Sequence, residues 1–326
     1  MSNPFFSIFV PVFNAEKYLR ECFDSIFSQT FKDFELFIND DCSSDNSFSI
    51  CQEYVNKYQN VYLTKGEKHG FGYEAQNRFV EHAKGEFIVF IDNDDYIAPN
   101  HLENIYNHLI TSNADCALVS YKAVGEGGTD LGWYTPKLID GMVLSSKEII
   151  LEYLTTLNIE GFRWNKICRR KVLIDNNIIL EKDFPGDIPF TYKIISAIKD
   201  CVMVEEPTYF YRQRATSEVA KKSVANSVGM VKTHKKIADL SMNVGMDREA
   251  TYYKVYRLIN DLFNAWKYRN EYEKEEWRLF LNKYKWKKTL EMSVIKAFMI
   301  LNHYSNLKDG KLKFAIKTII VRWAYR

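Results

Sequence analysis

The chain has 326 residues, 46% of them hydrophobic, with 14 glycines and 7 prolines, which excludes a small disulfide-stabilised domain and a disordered or fibrous chain. The net charge of +2 conceals an asymmetry, because residues 1–115 carry 18 acidic and 8 basic side chains, whereas residues 271–326 carry 6 and 13. The acidic first part argues against nucleic acid as a partner, since nucleic-acid binding calls for a basic domain.

Strands and helices alternate in the first hundred residues. Apolar runs predict strands over 5–12, 34–38, 61–63 and 87–91, and helical spacing of apolar residues predicts helices over 14–28, 44–58 and 74–83. This alternation predicts an α/β fold with a Rossmann-like, mainly parallel sheet and right-handed crossovers.

Carboxylates follow two of the predicted strands. Asp40 and Asp41 come after the second strand, and Asp92, Asp94 and Asp95 come directly after the fourth. Ligands of open α/β sheets bind outside the carboxyl ends of the strands. Crowded carboxylates there favour a hard cation such as Mg²⁺ or Mn²⁺, held jointly with phosphate oxygens. The alternative is an acidic turn that caps the next helix, and for Asp40 and Asp41 alone both interpretations are equally supported.

Four motifs resemble a known family in their order and spacing. They are Pro11-Val12-Phe13-Asn14 with Glu16, then residues 28–35, 39–47 and 85–95. Together they resemble the family 2 inverting glycosyltransferases, which have a GT-A fold. The resemblance extends more loosely to about residue 217. It implies a nucleotide-sugar half over 1–125, a half with the acceptor site and catalytic base over 126–217, and an α-helical C-terminal region over 218–326.

The resemblance implies roles for the donor-binding residues. Pro11, Val12, Asn14 and Glu16 are expected to border the nucleoside, and Asp41 resembles the residue that binds the uracil imide. This chain departs from many members at one point, because Gln76 stands where they have an arginine ahead of the fourth strand.

The remaining donor contacts are expected from the segments after the fourth strand and from a late basic loop. Asp92 and Asn93 would lie near the ribose and the donor sugar, and Asp94 would ligate Mn²⁺ or Mg²⁺ on the diphosphate. Arg212 and Arg214 are candidates for the diphosphate, since arginine suits bidentate phosphate contacts, although a solvated charge is the commoner fate of an arginine.

Inverting transfer needs a general base beside the acceptor hydroxyl. The family places it in a Glu-Asp pair that starts a helix, and Asp187 matches the aspartate, with Gly186 in place of the acidic neighbour. Asp187 also suits a helix N-cap, and the two roles are compatible because a helix N-terminus positions a carboxylate. Asp183 is the second candidate for the base.

Three other residues have open interpretations. Trp133 and Tyr134 lie in a glycine-rich segment predicted as a loop, where stacking on a sugar and burial as anchors are equally supported. For Lys166, which follows the sequence pair Trp164-Asn165, a solvated side chain next to a core tryptophan is favoured over a site role.

The predicted function is a metal-dependent inverting glycosyltransferase. It would move a hexose from a nucleotide donor, most plausibly a UDP-sugar, to a saccharide or lipid-linked acceptor of a capsule, lipopolysaccharide or related surface polymer. The alternatives are an inactive carbohydrate-binding or scaffold protein of the same fold and a sugar nucleotidyltransferase. The latter is disfavoured because the N-terminal part has no glycine-rich, basic loop for a triphosphate.

The location is predicted from what the chain lacks and from its last residues. The six cysteines form no Cys-x-x-Cys pair, the N-terminus does not resemble a signal peptide, and no apolar run is long enough to span a bilayer. We therefore expect a cytoplasmic protein. The last helix is amphipathic and basic, which favours peripheral contact with the inner face of the cell membrane over docking on protein. Its apolar face comprises Leu312, Ala315, Ile316, Ile319, Ile320 and Trp323.

Removal of residues 311–326 tests the membrane contact. We expect the full chain to float with vesicles that contain anionic lipid and the shortened chain to stay in solution, because the basic amphipathic face is lost. Flotation of both chains to the same extent would instead favour docking of this helix on protein.

Overall fold

The computed structural model describes most of the first 250 residues. The described residues are 3–66, 72–134, 139–155, 159–182, 186–214, 224–247, 249, 250, 253 and 257. Asp183, the predicted helices after residue 257 and the basic amphipathic helix lie outside them.

The chain divides into two compact units. The first comprises Met1–Tyr153, Asn158–Lys182 and Gly186–Ala215, and the second comprises Leu154–Leu157, Asp183–Pro185 and Thr216–Arg326. In the second unit, the described residues include one long helix, α8 (Val224–Asn243). The three-part division made from the sequence stays a prediction, and its boundary at 125 falls inside the first unit.

Strands and helices alternate strictly up to residue 90 and follow one another in a less regular order from there to Arg212. They begin with β1 (Phe6–Val12), α1 (Leu19–Phe27), β2 (Phe34–Asp40), α2 (Ser47–Lys57), β3 (Val61–Lys65), α3 (Tyr73–His82), β4 (Phe87–Phe90), β5 (Tyr96–Ile97), α4 (His101–Ser112) and β6 (Cys116–Val124). They continue with β7 (Asp130–Tyr134), β8 (Val143–Ser145), α5 (Ser146–Thr155), β9 (Lys166–Arg169), α6 (Arg170–Asp175), α7 (Asp187–Ala197) and β10 (Asp200–Arg212).

One mixed sheet has the strand order β3-β2-β1-β4-β9-β6-β10-β5, with β7 beside β6 and β8 beside β10. The four strands from β3 to β4 are parallel, and so are β6 and β10. Residues Phe87–Phe90 of β4 are all buried, which explains their continuous apolar run. The predicted α/β class with a mainly parallel sheet is therefore confirmed.

Two local predictions differ from the structure. The sequence of residues 208–212 predicts an edge strand, but these residues belong to β10, which begins at Asp200 and pairs with β6 on one side and with β5 and β8 on the other. The segment expected to be a loop near Gly125 contains β7, which pairs antiparallel with β6. The first difference arises because the partners of β10 lie far away in the sequence, whereas β7 forms a hairpin with the strand that precedes it.

Lys166 was expected to be solvated, and this expectation is wrong. The side chain is buried, and its Nζ donates to the Glu160 and Phe162 carbonyl oxygens at 2.6 and 3.0 Å and to Asn165 Oδ1 at 2.7 Å. Burial lowers the pKa of Lys166 to about 8. These three oxygens replace water around the ammonium, so that burial of the lysine is tolerated.

The described residues contain no helix that is both long and apolar enough to cross a membrane.

A buried polar network holds the start of β4 against β1. The Ser7 hydroxyl donates to Glu35 Oε1 at 2.6 Å and accepts from the Gly85 N–H at 2.8 Å, while the Lys84 N–H donates to the same Glu35 oxygen at 2.7 Å. A Cβ added at Gly85 would lie 2.5 Å from both Ser7 N and Ser7 Oγ. Position 85 therefore requires glycine because of this close approach.

We expect Gly85→Ala to lower the free energy of unfolding by about 1–3 kcal/mol, because the added methyl group overpacks the β1–β4 contact. In thermal unfolding this corresponds to a loss of about 2–4 °C in Tm for each kcal/mol. The matched control is Gly127→Ala, whose Cβ would have no atom within 4 Å. Equal Tm values for the two variants would contradict the prediction.

Candidate active site

The carboxyl ends of β1, β2 and β4 bring the predicted nucleotide-binding residues together. The Asp41 N–H donates to the Val12 carbonyl oxygen at 2.8 Å, and Asn93 Nδ2 donates to the Pro11 carbonyl oxygen at 2.7 Å. Residues from three strand ends are thus joined by direct hydrogen bonds at the edge where ligands of α/β sheets bind.

Asn14 and Glu16 fasten the loop after β1 to the loop after β2. Asn14, at φ 47°, accepts from the Ser44 N–H through Oδ1 at 2.8 Å. Glu16 Oε2 accepts from the Asn46 N–H at 2.9 Å. The structure therefore gives both side chains a bracing role, and their predicted contact with the nucleoside remains a prediction.

Asp40 and Asp41 have different surroundings. Asp40 is fully buried, and its Oδ1 has no hydrogen-bond partner in the described part of the chain. Asp41 is 8% exposed, and a Cβ added at Gly66 would lie 3.1 Å from its Oδ1. Cys42 follows in the left-handed region at φ 63°, a strained conformation of the kind that clusters at ligand sites. The absence of a side chain at Gly66 leaves room for the Asp41 carboxylate.

Of the three carboxylates after β4, Asp95 anchors the structure. It is buried, its Oδ2 accepts from the Tyr209 hydroxyl at 2.7 Å, and its Oδ1 accepts from the Arg212 N–H at 2.7 Å. The Tyr209 oxygen in turn accepts from the Asp92 N–H at 3.2 Å. Burial raises the pKa of Asp95 well above its usual value, and the nearby carboxylates add to the rise. Asp95 thus ties β10 to the loop after β4.

Asp94 is paired with Arg214. Arg214 Nη2 lies 2.5 Å from Asp94 Oδ2, and the two side chains are 26% and 16% exposed. Burial and the neighbouring Asp92 raise the pKa of Asp94, and Arg214 opposes the rise. Arg214 Nε is buried and has no hydrogen-bond partner among the described residues. Arg214 Nε is therefore a donor whose hydrogen bond is unmade within the described residues.

Arg212 is held by the protein itself. Its Nε donates to the Asp94 carbonyl oxygen at 2.8 Å, its Nη1 to the Glu126 carbonyl oxygen at 3.3 Å and its Nη2 to Glu21 Oε2 at 2.6 Å. The guanidinium also lies near the faces of two tyrosine rings, and the residue is 5% exposed. This geometry favours Arg214 over Arg212 as the contact for a diphosphate.

Arg163 joins Asp92 to Asp187. Its Nη2 lies 3.2 Å from Asp92 Oδ1, and its Nη1 lies 3.0 Å from Asp187 Oδ1. Asp187 is the first residue of α7, with Gly186 rather than Asp187 as the N-cap. The positive end of the helix therefore supports the carboxylate from inside its first turn.

Aromatic rings line the site behind these charges. Trp164 is buried as predicted and stacks on Tyr209 with ring centroids 4.4 Å apart. Tyr211 and Phe162 pack against Trp164 and are partly exposed. Burial raises the pKa of Tyr211 to about 12, and Asp95, Asp92 and Asp94 add to the rise. An apolar wall therefore stands next to the carboxylates.

The family model described as Glycosyl transferase family 2 matches residues 7–175, about half of the chain. The chain belongs to glycosyl transferase family 2. The matched region includes the ends of β1, β2 and β4 and Arg163, whereas Asp187, Arg212 and Arg214 lie after it.

Relatives within the family carry glycosyltransferase names. Glycosyltransferase GlyG of Streptococcus pneumoniae is 25% identical over 283 residues, which cover 83% of this chain and 92% of GlyG. TarS of Staphylococcus aureus, a poly(ribitol-phosphate) beta-N-acetylglucosaminyltransferase, is 28% identical over 218 residues, 65% of this chain and 36% of TarS. The chain spans 64% of the length of EpsH of Bacillus subtilis, to which it is 29% identical over 230 residues, 68% of this chain.

Solved structures show the same fold. TarS residues 1–349 in complex with UDP-GlcNAc match with a TM-score of 0.70 at 23% identity, covering 100% of this chain and 92% of that one. The mannosyltransferase PcManGT from Pyrobaculum calidifontis, in complex with GDP-Man and Mn²⁺, matches with a TM-score of 0.52 at 13% identity, covering 95% and 89%. The predicted GT-A fold is therefore confirmed.

Glycosyl transferase family 2 implies a divalent metal beside the donor diphosphate, and Asp94 fits part of that role. Among the residues that the structure describes, no group of three or more His, Cys, Asp or Glu side chains could hold a metal ion by itself. Mg²⁺ is commonly held by one or two carboxylates plus phosphate oxygens and water. Asp94, whose Oδ2 is paired with Arg214, is the residue that would hold such a metal beside the diphosphate.

Sequence reasoning missed Arg163, Tyr209 and Glu21 as parts of the site. Arg163 precedes Trp164 in the sequence, and its partner Asp92 lies 71 residues away in the chain. No local sequence pattern predicts an ion pair between residues so far apart. Gln76, the departure from the family, is buried, and its amide atoms have no hydrogen-bond partner within the described ranges.

Substitution of the two late arginines by methionine separates their roles. We expect Arg212→Met to lower the free energy of unfolding by about 1–3 kcal/mol, because buried carbonyl oxygens lose their donor. We expect Arg214→Met to weaken UDP binding about tenfold with a smaller effect on stability, because a charge-assisted phosphate contact is lost. Thermal unfolding and calorimetric titration of UDP measure the two effects. The reverse pattern would contradict this assignment.

Proposed function

We propose that this chain is an inverting glycosyltransferase that moves a hexose from a UDP-sugar to a glycan or lipid-linked acceptor in the synthesis of a surface polysaccharide. It would work in the cytoplasm, in peripheral contact with the inner face of the cell membrane through its C-terminal helix.

One observation carries the proposal. Arg163 brings the carboxylate matched to the family's base, Asp187, next to Asp92, which belongs to the Asp-x-Asp sequence after β4. A donor bound at the ends of β1, β2 and β4 would therefore have a carboxylate beside its sugar. Asp187 keeps 34% of its side-chain surface exposed, so that an acceptor hydroxyl can reach it.

The relatives support UDP as the nucleotide and a polyol-phosphate polymer or related glycan as the acceptor. TarS is named a poly(ribitol-phosphate) beta-N-acetylglucosaminyltransferase, and its structures contain UDP and UDP-GlcNAc. A Bacillus spizizenii relative, 34% identical over 144 residues that cover 43% of this chain and 23% of the relative, is named a poly(ribitol-phosphate) beta-glucosyltransferase. GDP-Man in PcManGT makes GDP the nucleotide to test against UDP.

The residues of the chain divide the chemistry among them. Asp41 and the loop that contains Asn14 would bind the nucleoside, and Arg214 would contact the diphosphate. The oxygen of the acceptor hydroxyl would attack the anomeric carbon on the face opposite the leaving UDP. Asp187 would take the proton from that hydroxyl during the attack. Asp94 would hold Mn²⁺ or Mg²⁺, which supplies charge stabilisation for the leaving diphosphate.

Calorimetric titration of UDP and GDP into the full chain, with and without Mn²⁺, tests the proposal. We expect UDP to bind more tightly than GDP and Mn²⁺ to strengthen the binding. In Asp94→Ala, the effect of Mn²⁺ should disappear. In Asp187→Asn, UDP binding should persist, while the release of UDP from UDP-GlcNAc should slow about 10²–10⁴-fold because the base is lost.

The variants control for each other, because Asp94→Ala should lose the effect of Mn²⁺ on UDP binding, whereas Asp187→Asn should keep UDP binding and lose the release of UDP from UDP-GlcNAc. Binding of neither nucleotide would favour the inactive scaffold, and tighter binding of GDP would overturn the donor. Normal turnover by Asp187→Asn would place the base elsewhere, and an undiminished Mn²⁺ effect in Asp94→Ala would overturn the metal ligand.

A further inference from the structure

Arg163 lies between two carboxylates that have separate roles in the proposed reaction. It comes from the segment before β9, whereas Asp92 follows β4 and Asp187 begins α7. Its side chain is 14% exposed, and its guanidinium contacts Asp92 through Nη2 and Asp187 through Nη1. A single buried cation thus connects the donor side of the site with the catalytic base.

The hydrogen bonds that orient the guanidinium go to these two carboxylates. The Arg163 Nε is buried and has no hydrogen-bond partner in the described part of the chain. The guanidinium also lies 5.9 Å from the centre of the Phe90 ring. Arg212 differs, because two backbone carbonyl oxygens accept from its guanidinium. The position of Arg163 and those of the two carboxylates therefore depend on one another.

A base needs an ionised carboxylate with one oxygen directed at the acceptor. The charged groups that face Asp187 in the described residues are Arg163, Asp92 and Lys166. Loss of hydration raises the pKa of Asp187, Arg163 opposes the rise, and Asp92 adds to it. Arg163 contacts Oδ1 of Asp187, which leaves Oδ2 to accept the proton.

We propose that Arg163 is a positioning residue of the transfer reaction, which orients the Asp187 carboxylate and keeps it ionised by bridging it to Asp92. The inference rests on the proposed function, because it takes Asp187 as the base. It also explains why an arginine suits this position. The planar fork of its guanidinium reaches two carboxylates at once, whereas the single ammonium group of a lysine is a point charge on a flexible stem.

A double-mutant cycle between Arg163 and Asp187 tests the inference. The full chain and the variants Arg163→Met, Asp187→Asn and the double variant are compared for the release of UDP from UDP-GlcNAc, with water as the acceptor. We expect Arg163→Met to lower kcat about 10–100-fold, because the base is misplaced, and to change KM for the donor little. In the Asp187→Asn background, Arg163→Met should have no further effect.

The pH profile supplies a readout that a purely structural contact would not move. The acid limb of kcat/KM reports the pKa of the base in the free enzyme. Loss of Arg163 should raise that pKa, so that the acid limb shifts upward by about one pH unit or more and activity is lost first at the acidic end. Arg163→Lys should keep the acid limb close to that of the parent chain and lower kcat, because the charge remains while the fork is lost.

The control variant is Arg20→Met. The Arg20 side chain is 54% exposed and pairs with Glu53 on the surface, so its loss should leave kcat and the acid limb of the pH profile unchanged. Equal effects of Arg163→Met with and without Asp187 would overturn the inference, and so would an unshifted acid limb or a change in KM alone. If Arg163→Met does not fold, the cycle is run with Arg163→Lys. Full activity of Asp187→Asn would overturn the proposed base. Loss of activity in Asp187→Asn together with normal kcat in Arg163→Met would overturn the positioning role of Arg163 alone.

Discussion

The crowding of carboxylates at the end of one buried strand is the constraint on which the rest of the site depends. Asp92, Asp94 and Asp95 lie within four consecutive residues just after β4, where each would repel the others and lose hydration. A different set of neighbours compensates each carboxylate in the structure. Asp95 receives two neutral hydrogen-bond donors, Asp94 is paired with Arg214, and Asp92 is paired with Arg163. Asp92 and Asp94 keep part of their side-chain surface exposed, whereas Asp95 is buried.

The three arginines of the site divide in the same way. Arg212 is anchored by backbone carbonyl oxygens, and removal of its guanidinium would leave those oxygens unpaired. Arg163 is paired with two carboxylates and Arg214 with one, and the Nε of each has no hydrogen-bond partner among the described residues. Unpaired buried donors are rare in folded proteins, and each calls for an explanation such as a catalytic role or a bound water or ion. Arg163 and Arg214 therefore differ from Arg212, whose guanidinium donates to the protein through all three of its nitrogens.

The departures of this chain from its family concern charge as well as shape. Gln76 removes a positive charge that many members place ahead of the strand, and Gly186 removes a negative charge next to the base. The described charges around Asp187 are then Arg163, Lys166 and Asp92. Asp187 therefore has one acidic neighbour fewer to oppose its ionisation, which Asp92 disfavours and Arg163 and Lys166 favour. Burial of Lys166, whose pKa falls to about 8, leaves Arg163 as the permanently charged neighbour.

The sequence by itself determined the α/β class, the order of the first strands and the segments that meet at the candidate site. These features depend on consecutive residues, because apolar runs define buried strands and polar residues mark the strand ends. Only the tertiary structure decided which carboxylate anchors the fold, which arginine keeps a spare donor, and how Lys166 is buried. Those outcomes depend on partners far apart in the chain, such as Arg212 and Asp94, which are separated by 118 residues. The charge and hydrogen bonding of a side chain follow from its burial and its neighbours, and these exist only after the chain has folded.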